Sequence, residues 1–223
     1  MNSNKAQSSA ERKAEKRELI LESAFELFLE ESYTNAKIAD IAAKAGIGKG
    51  TVYEYFSGKE EILLELINTK ILPEYNVFEN ILSEKSDVKS RLSAFLAFKS
   101  SFLEKYGRYV EEIHPLFHDA DTDMARKIYS AIMQIISCEY SVVLRILEEG
   151  IASGELRAVN SMLTSHIIVG ATASFASAKS GMLQNMQDMG FPIDPRAAAA
   201  YSSCTEDDFF ELIFSGISAK NDK

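Results

Sequence analysis

Residues 38–59 read IADIAAKAGIGKGTVYEYFSGK, and this stretch decides the fold. Ile38, Ile41, Ala42 and Ala45 recur at helical spacing and form one apolar stripe. Gly46 ends that helix, because the residue just past a helix end often takes a positive φ that glycine adopts without a Cβ clash. Ile47 plugs the turn, and a second short helix opens near Gly48, with Val52 and Phe56 inward and Lys49, Thr51, Tyr53 and Tyr55 outward. Helices this short are marginal alone in water, so a third must cover them. The chain from Glu11 supplies it, with Ile20, Leu21, Ala24, Phe25, Leu27 and Phe28 on one wide apolar face.

Two short helices about a glycine turn make a helix-turn-helix, whose second helix enters the DNA major groove. The longer run 38–63, IADIAAKAGIGKGTVYEYFSGKEEIL, resembles the DNA-binding signature of the TetR family of bacterial transcriptional regulators. The IA pair, the AG turn, KGT followed by a hydrophobic residue and Tyr, the YF pair and the K-E pair carry the resemblance. It departs at Ala36, where the family usually has a capping threonine, and at Gly48 and Gly58, where serine is usual. Glycine at an N-cap costs roughly a few tenths of a kcal/mol against serine, and Asn35 is the expected substitute cap for Ala36. Ser57 with Glu60 three residues on reads as a capping box for the next helix.

The remaining chain contains helical periods and no strand pattern. A connector helix carries Ile62, Leu63, Leu66, Ile67 and Ile71, is kinked at Pro73 and continues to about residue 82. A helix over 87–106 is expected to break at Gly107, with a shorter one after it. Asp121-Thr122-Asp123 opens a long helix to about Ile151, a further helix runs over 162–183, and Thr205 with Asp208 caps the last one. The expected class is all-α: residues 1–10 a disordered arm, 11–58 a three-helix DNA-binding head, and 59–223 a connector followed by a larger helical ligand-binding and dimerisation body.

The net charge is −9, yet the first 60 residues hold nine Lys/Arg and ten Asp/Glu against 24 and 33 in the whole chain, so the acidity lies mostly in the body. A neutral head binds DNA if its basic residues share the phosphate-facing surface. Glu22, Glu26 and Glu30 make an acidic stripe expected to face solvent, and Lys5, Arg12, Lys13, Lys16 and Arg17 a basic start to the first helix. The two cysteines, Cys138 and Cys204, suit a reducing compartment. The charged N-terminus carries no apolar signal segment, and the uncharged run 159–178 holds too many Ser, Thr and His for a membrane span, so a cytoplasmic protein is expected.

The resemblance implies a homodimer on a palindromic operator, with half-sites about 34–36 Å apart or a multiple of that. It implies DNA contacts from Lys37, Lys49, Gly50, Thr51, Tyr53, Tyr55 and Lys59. The recognition helix has no Arg, Asn or Gln for base edges, so phosphate contacts and DNA shape should dominate and salt should weaken binding strongly. The resemblance also implies a pocket for a small-molecule effector, for which Phe95, Phe98, Phe102, Tyr106, Phe117, Met124, Tyr129 and Met133 are the candidates, although aromatic stripes at this spacing also build plain cores. Small residues Gly170, Ser174, Ser177 and Gly181 line one helix face, and Phe210 and Phe214 stand on a last helix apolar nearly all round; these are the candidate dimer interface. His114 and His118 with Asp119, Asp121 and Asp123 do not add up to a metal site, because Pro115 falls between the histidines. No nucleophile, base and orienter assemble, so no enzyme activity and no cofactor are expected. The alternative is a dimeric DNA-binding regulator or architectural protein with no effector pocket.

Overall fold

The apolar stripe read from Glu11 onward is part of a longer helix. A computed structural model describes residues 2–83, 87–113, 122–179 and 203–218, with Asp194, Arg196, Ala199 and Ala200. Helix α1 spans Asn2–Glu31 and so takes in most of the segment expected to be a disordered arm. No Gly or Pro interrupts residues 2–31, which leaves nothing to stop the helix at Glu11. Ile20, Leu21, Ala24, Leu27 and Phe28 are buried, and α2 (Ile38–Lys44) and α3 (Lys49–Tyr55) pack beneath them through Ile41, Ala42, Val52 and Phe56.

The turn between α2 and α3 is a Schellman closure. Gly46 sits at φ +66°, its N–H bonds to Ala43 O at 3.1 Å, and the Ile47 N–H reaches Ala42 O at 3.0 Å. Lys37 and Gly48 are the N-caps of α2 and α3, and neither helix has a side-chain cap. The substitute cap expected from Asn35 does not form. Its amide instead donates to Glu31 O at 3.1 Å and closes the end of α1, because α2 begins two residues later than a cap at Asn35 requires.

Helix α4 (Lys59–Leu66) starts from Gly58. The expected box between Ser57 and Glu60 is displaced by one residue: the Ser57 N–H and hydroxyl both donate to Glu61 Oε2, at 2.6 and 2.7 Å. Glu61 occupies the third helical position once Gly58, rather than Ser57, is the N-cap. The kink expected at Pro73 lies upstream, as a π-helical segment over Ile67–Ile71 that leads into α5 (Leu72–Ser83), with Leu72 N–H bonding to Ile67 O. Pro73 has no N–H to donate, and the turn before it widens. Helix α6 spans Val88–Ile113 and runs through Gly107, where a break was expected; one glycine costs a helix only about 1 kcal/mol. Helix α7 (Asp123–Ser153) starts where Thr122 Oγ1 accepts the Ala125 N–H at 3.1 Å. Helices α8 (Ser161–Lys179) and α9 (Glu206–Ile217) complete the described chain, α9 opening with the capping box expected of Thr205 and Asp208.

The chain forms two compact units. One holds residues 1–73 with 108–133, and the other 74–107 with 134–223. Packing thus groups α4 and the π segment with the helix-turn-helix, beyond the boundary at residue 58 read from the sequence. The second unit has its own core, in which Phe78, Leu92, Phe95 and Leu96 meet Val142, Val143, Ile146, Leu147, Ile168 and Phe175. α7 is long and apolar enough to cross a membrane, and its apolar side is built into that core. Gly150 lets α7 pass Val88 and Leu156: a Cβ there would lie 2.5 Å from Val88 Cγ2. The one described pairing outside helices is an isolated bridge between Leu156 and Ser218.

On α8, Ile168 and Phe175 point into the core, and Ala171 and Ala178 are half-buried. Gly170 and Ser174 are exposed and Ser177 half-exposed, beside Met162, Leu163 and Ile167, each more than half exposed; Gly181 lies outside the described residues. On α9 the expectation divides. Phe210 is buried in the core of its own chain with Phe214 stacked on it at 5.6 Å, while Leu212 is 75% exposed. A helix apolar all round has one side to give to its own core and one to present outward.

Candidate nucleic-acid interface

Helix α3 presents Lys49, Gly50, Tyr53 and Glu54 to solvent, with Thr51 and Tyr55 half-buried and Val52 fully inward. Tyr53 is half exposed, and the Lys49 ammonium lies 5.8 Å from its ring centre. Lys37 is exposed at the start of α2. Five of the seven expected DNA contacts, Lys49, Gly50, Thr51, Tyr53 and Tyr55, lie on α3, the second helix of the motif, and Lys37 stands at the start of α2.

The seventh is placed differently. Lys59 Nζ donates to three backbone carbonyls of the α1–α2 connection, Tyr33 O at 2.6 Å, Thr34 O at 3.2 Å and Ala36 O at 3.0 Å. Its ammonium also lies 4.4 Å from the centre of the Tyr33 ring, which Phe28 meets edge-on at 5.2 Å. All three N–H groups of the ammonium are engaged inside the head. Lys59 is a staple for the loop that delivers α2. From sequence, a lysine after a recognition helix reads as a phosphate contact; the three carbonyls come from residues 23 to 26 positions earlier and are brought to it by the fold.

A second clamp, unread in the sequence, is Arg17. Its Nη1 donates to Tyr55 O at 2.9 Å, its Nε to Glu65 Oε1 at 2.7 Å, and Nη2 to the other Glu65 oxygen, while the guanidinium lies 4.3 Å over Phe56. It joins α1, the last turn of α3 and α4 at one group. The signal was present: Arg17, Leu21, Ala24 and Phe28 fall on one helix face, so the arginine continues the buried stripe. The acidic stripe of α1 also acquires partners. Lys70 pairs with Glu18 and Glu22, and Lys44 with Glu26 at 3.3 Å and Glu30 at 2.9 Å. Lysines of α2 and the π segment are thereby tied to α1.

The effector candidates separate between the two units. Phe95, Phe102 and Tyr106 are buried and Phe98 half-buried in the second unit, in a row of rings: Phe78 stacks on Phe98 at 4.1 Å, Tyr75 meets Phe98 and Phe102 edge-on at 5.1 and 5.2 Å, and Phe102 lies 4.8 Å from Tyr106. Met124, Tyr129 and Met133 belong to the first unit, where Tyr129 and Met133 are exposed and Met124 lines a cavity of about 380 Å³ with Ser57, Gly58, Glu60, Glu61 and Thr122. Phe117, His114, His118, Asp119 and Asp121 lie outside the described residues, and Asp123 pairs with Lys127 at 2.7 Å. No group of three His, Cys, Asp or Glu side chains among the described residues is arranged to hold a metal.

A three-helix head whose second motif helix offers an unclaimed outward face defines a helix-turn-helix DNA-binding protein. Residues 20–66 match the model of the bacterial regulatory proteins of the tetR family. The fatty acid metabolism regulator protein of Bacillus subtilis is 28% identical over 138 residues, 62% of this chain and 69% of that protein. The crystal structure of FadR from Bacillus subtilis in complex with stearoyl-CoA matches with a TM-score of 0.60 at 25% identity, over 89% of this chain and 97% of that one. A regulator from Saccharomonospora viridis in complex with choline shares the fold, with a TM-score of 0.70 at 18% identity over 93% and 100%. Residues 20–66 carry a DNA-binding segment of the tetR-family type, and along most of its length the chain is similar to bacterial transcriptional regulators.

Proposed function

We propose that the protein is a cytoplasmic, homodimeric repressor that binds a palindromic operator through Lys37, Lys49, Gly50, Thr51, Tyr53 and Tyr55 and is released by a small-molecule effector. The observation that carries the DNA reading is the outward face of α3, where Lys49 and Tyr53 are exposed beside two backbone positions, Gly48 and Gly50, with no side chain to hold DNA away. Dimerisation is supported by the exposed apolar side of α8, Met162, Leu163 and Ile167, next to Gly170 and Ser174, and by Leu212 on α9. For the effector, the relative crystallised with stearoyl-CoA supports an acyl compound. The domain division that follows is a DNA-binding head over residues 11–58, preceded by the basic start of α1, and an effector and dimerisation body over 59–223.

The close packing of Phe78, Phe98, Tyr75 and Phe102 favours a second reading, in which the body dimerises and holds no effector. Both are tested by titrating the purified protein against its own upstream DNA across salt, with Lys49→Ala and Tyr53→Ala alongside, and then adding acyl compounds to the complex. A specific palindrome weakened by both substitutions and released by an acyl compound supports the repressor. Specific binding that no acyl compound disturbs supports the second reading, and equal binding to every sequence overturns both.

A further inference from the structure

The ring row of the body encloses a buried ion pair. Glu139 on α7 is 4% exposed, and its Oε1 accepts both the Tyr75 hydroxyl from α5, at 2.6 Å, and the Lys99 ammonium from α6, at 2.5 Å. Lys99 is itself buried, 5.8 Å from the centre of the Phe102 ring. Withdrawing such a pair from water is costly, and apolar residues of the same volume often hold helices together as well. Three helices do not need this pair in order to pack.

The pair is also unevenly satisfied. An ammonium has three N–H donors. Among the described residues, Lys99 gives one to Glu139, whose Oε1 is already shared with Tyr75. One residue on, the buried Ser100 hydroxyl has no partner among the described residues. The unfilled capacity is donor capacity in apolar surroundings, which fits an acceptor carried on an apolar tail. Phe98 is the half-buried member of the ring row.

We propose that Lys99 receives the carboxylate or carbonyl head of an acyl effector, with the chain along Tyr75, Phe98 and Phe102. This rests on the effector-responsive reading above and assigns its ligand head and its route. A second acceptor on Lys99 weakens its bond to Glu139, and Glu139 then holds Tyr75 the more tightly. Tyr75 stands two residues after Pro73, and its helix continues through the π segment into α4. The effector is thereby sensed as a change in the anchor of the connector.

Isothermal titration of the full chain with decanoate, decanoyl-CoA and decyltrimethylammonium tests this. Decanoate or decanoyl-CoA is expected to bind, the tighter of the two assigning the head as carboxylate or carbonyl. Lys99→Met should weaken that binding about tenfold or more, and Lys99→Arg should restore part of it. Because Lys99→Met leaves Glu139 buried alone, the paired variant Lys99→Met/Glu139→Gln is measured beside it after its melting confirms a fold. Unchanged acyl binding in the folded paired variant, preference for the cation, or no binding of any of the three overturns the proposal. Operator binding by the ligand-free wild type, measured beside these titrations, reads the regulator function separately.

Discussion

Two lysines ten residues apart face opposite tasks. Lys49 is exposed on α3, whereas Lys59 is held by three carbonyls inside the same head. Lys49→Ala should leave the melting temperature unchanged and lower the slope of log affinity against log salt by about one unit. Lys59→Ala should do the reverse. It leaves three carbonyls without their donor and destabilises the head by about 2 kcal/mol, with no change of salt slope in the protein that stays folded. Thermal melts and salt titrations of the two variants decide between these roles. In the body, Gly150→Ala places a methyl against Val88 and Leu156 and should cost about 1–3 kcal/mol by overpacking, read from chemical denaturation.

At the scale of elements, the start of α4 depends on a carboxylate. The Ser57 N–H and hydroxyl, and beyond them Arg17 and Lys127, hold Glu61 below the usual glutamate range. A carboxylate whose pKa falls on folding contributes stability that is present above its unfolded value and is lost as pH drops through the lower folded value. The melting difference between wild type and Glu61→Gln should therefore be full at neutral pH, begin to fall below the ordinary glutamate pKa and vanish once the pH passes the lower folded value. A difference that persists unchanged into acid would contradict this account. At the start of α9, Thr205 Oγ1 and the Asp208 carboxylate each accept the other residue's backbone N–H at 3.0 Å, and Thr205→Ala should cost about 1 kcal/mol on melting.

At the scale of the molecule, the exposed apolar residues of α8 and α9 bear on assembly. Ile167→Glu with Leu212→Glu places charge on the proposed interface without touching the core of either unit, since both side chains are more than half exposed. Sedimentation velocity should show a monomer, and operator affinity should fall steeply because two half-sites are no longer read together. A variant that still sediments as a dimer moves the interface elsewhere.

The sequence by itself determined the all-α class, the helix-turn-helix and its glycine closure, the outward face of α3 and the Thr205 cap. All of these arise from contacts within a few residues, where helical period, cap chemistry and the φ of Gly46 act directly. Tertiary structure alone decided that Lys59 closes the α1–α2 connection, that Arg17 joins three helices, that Phe210 belongs to its own core, and that Lys99 and Glu139 meet Tyr75. Each joins residues 23 or more positions apart, and a charge or a ring carries no local mark of the group that the fold will bring against it. The lysine that reads as a phosphate contact and the lysine that serves as a staple are the same residue type; only the three-dimensional position of the acceptors separates them.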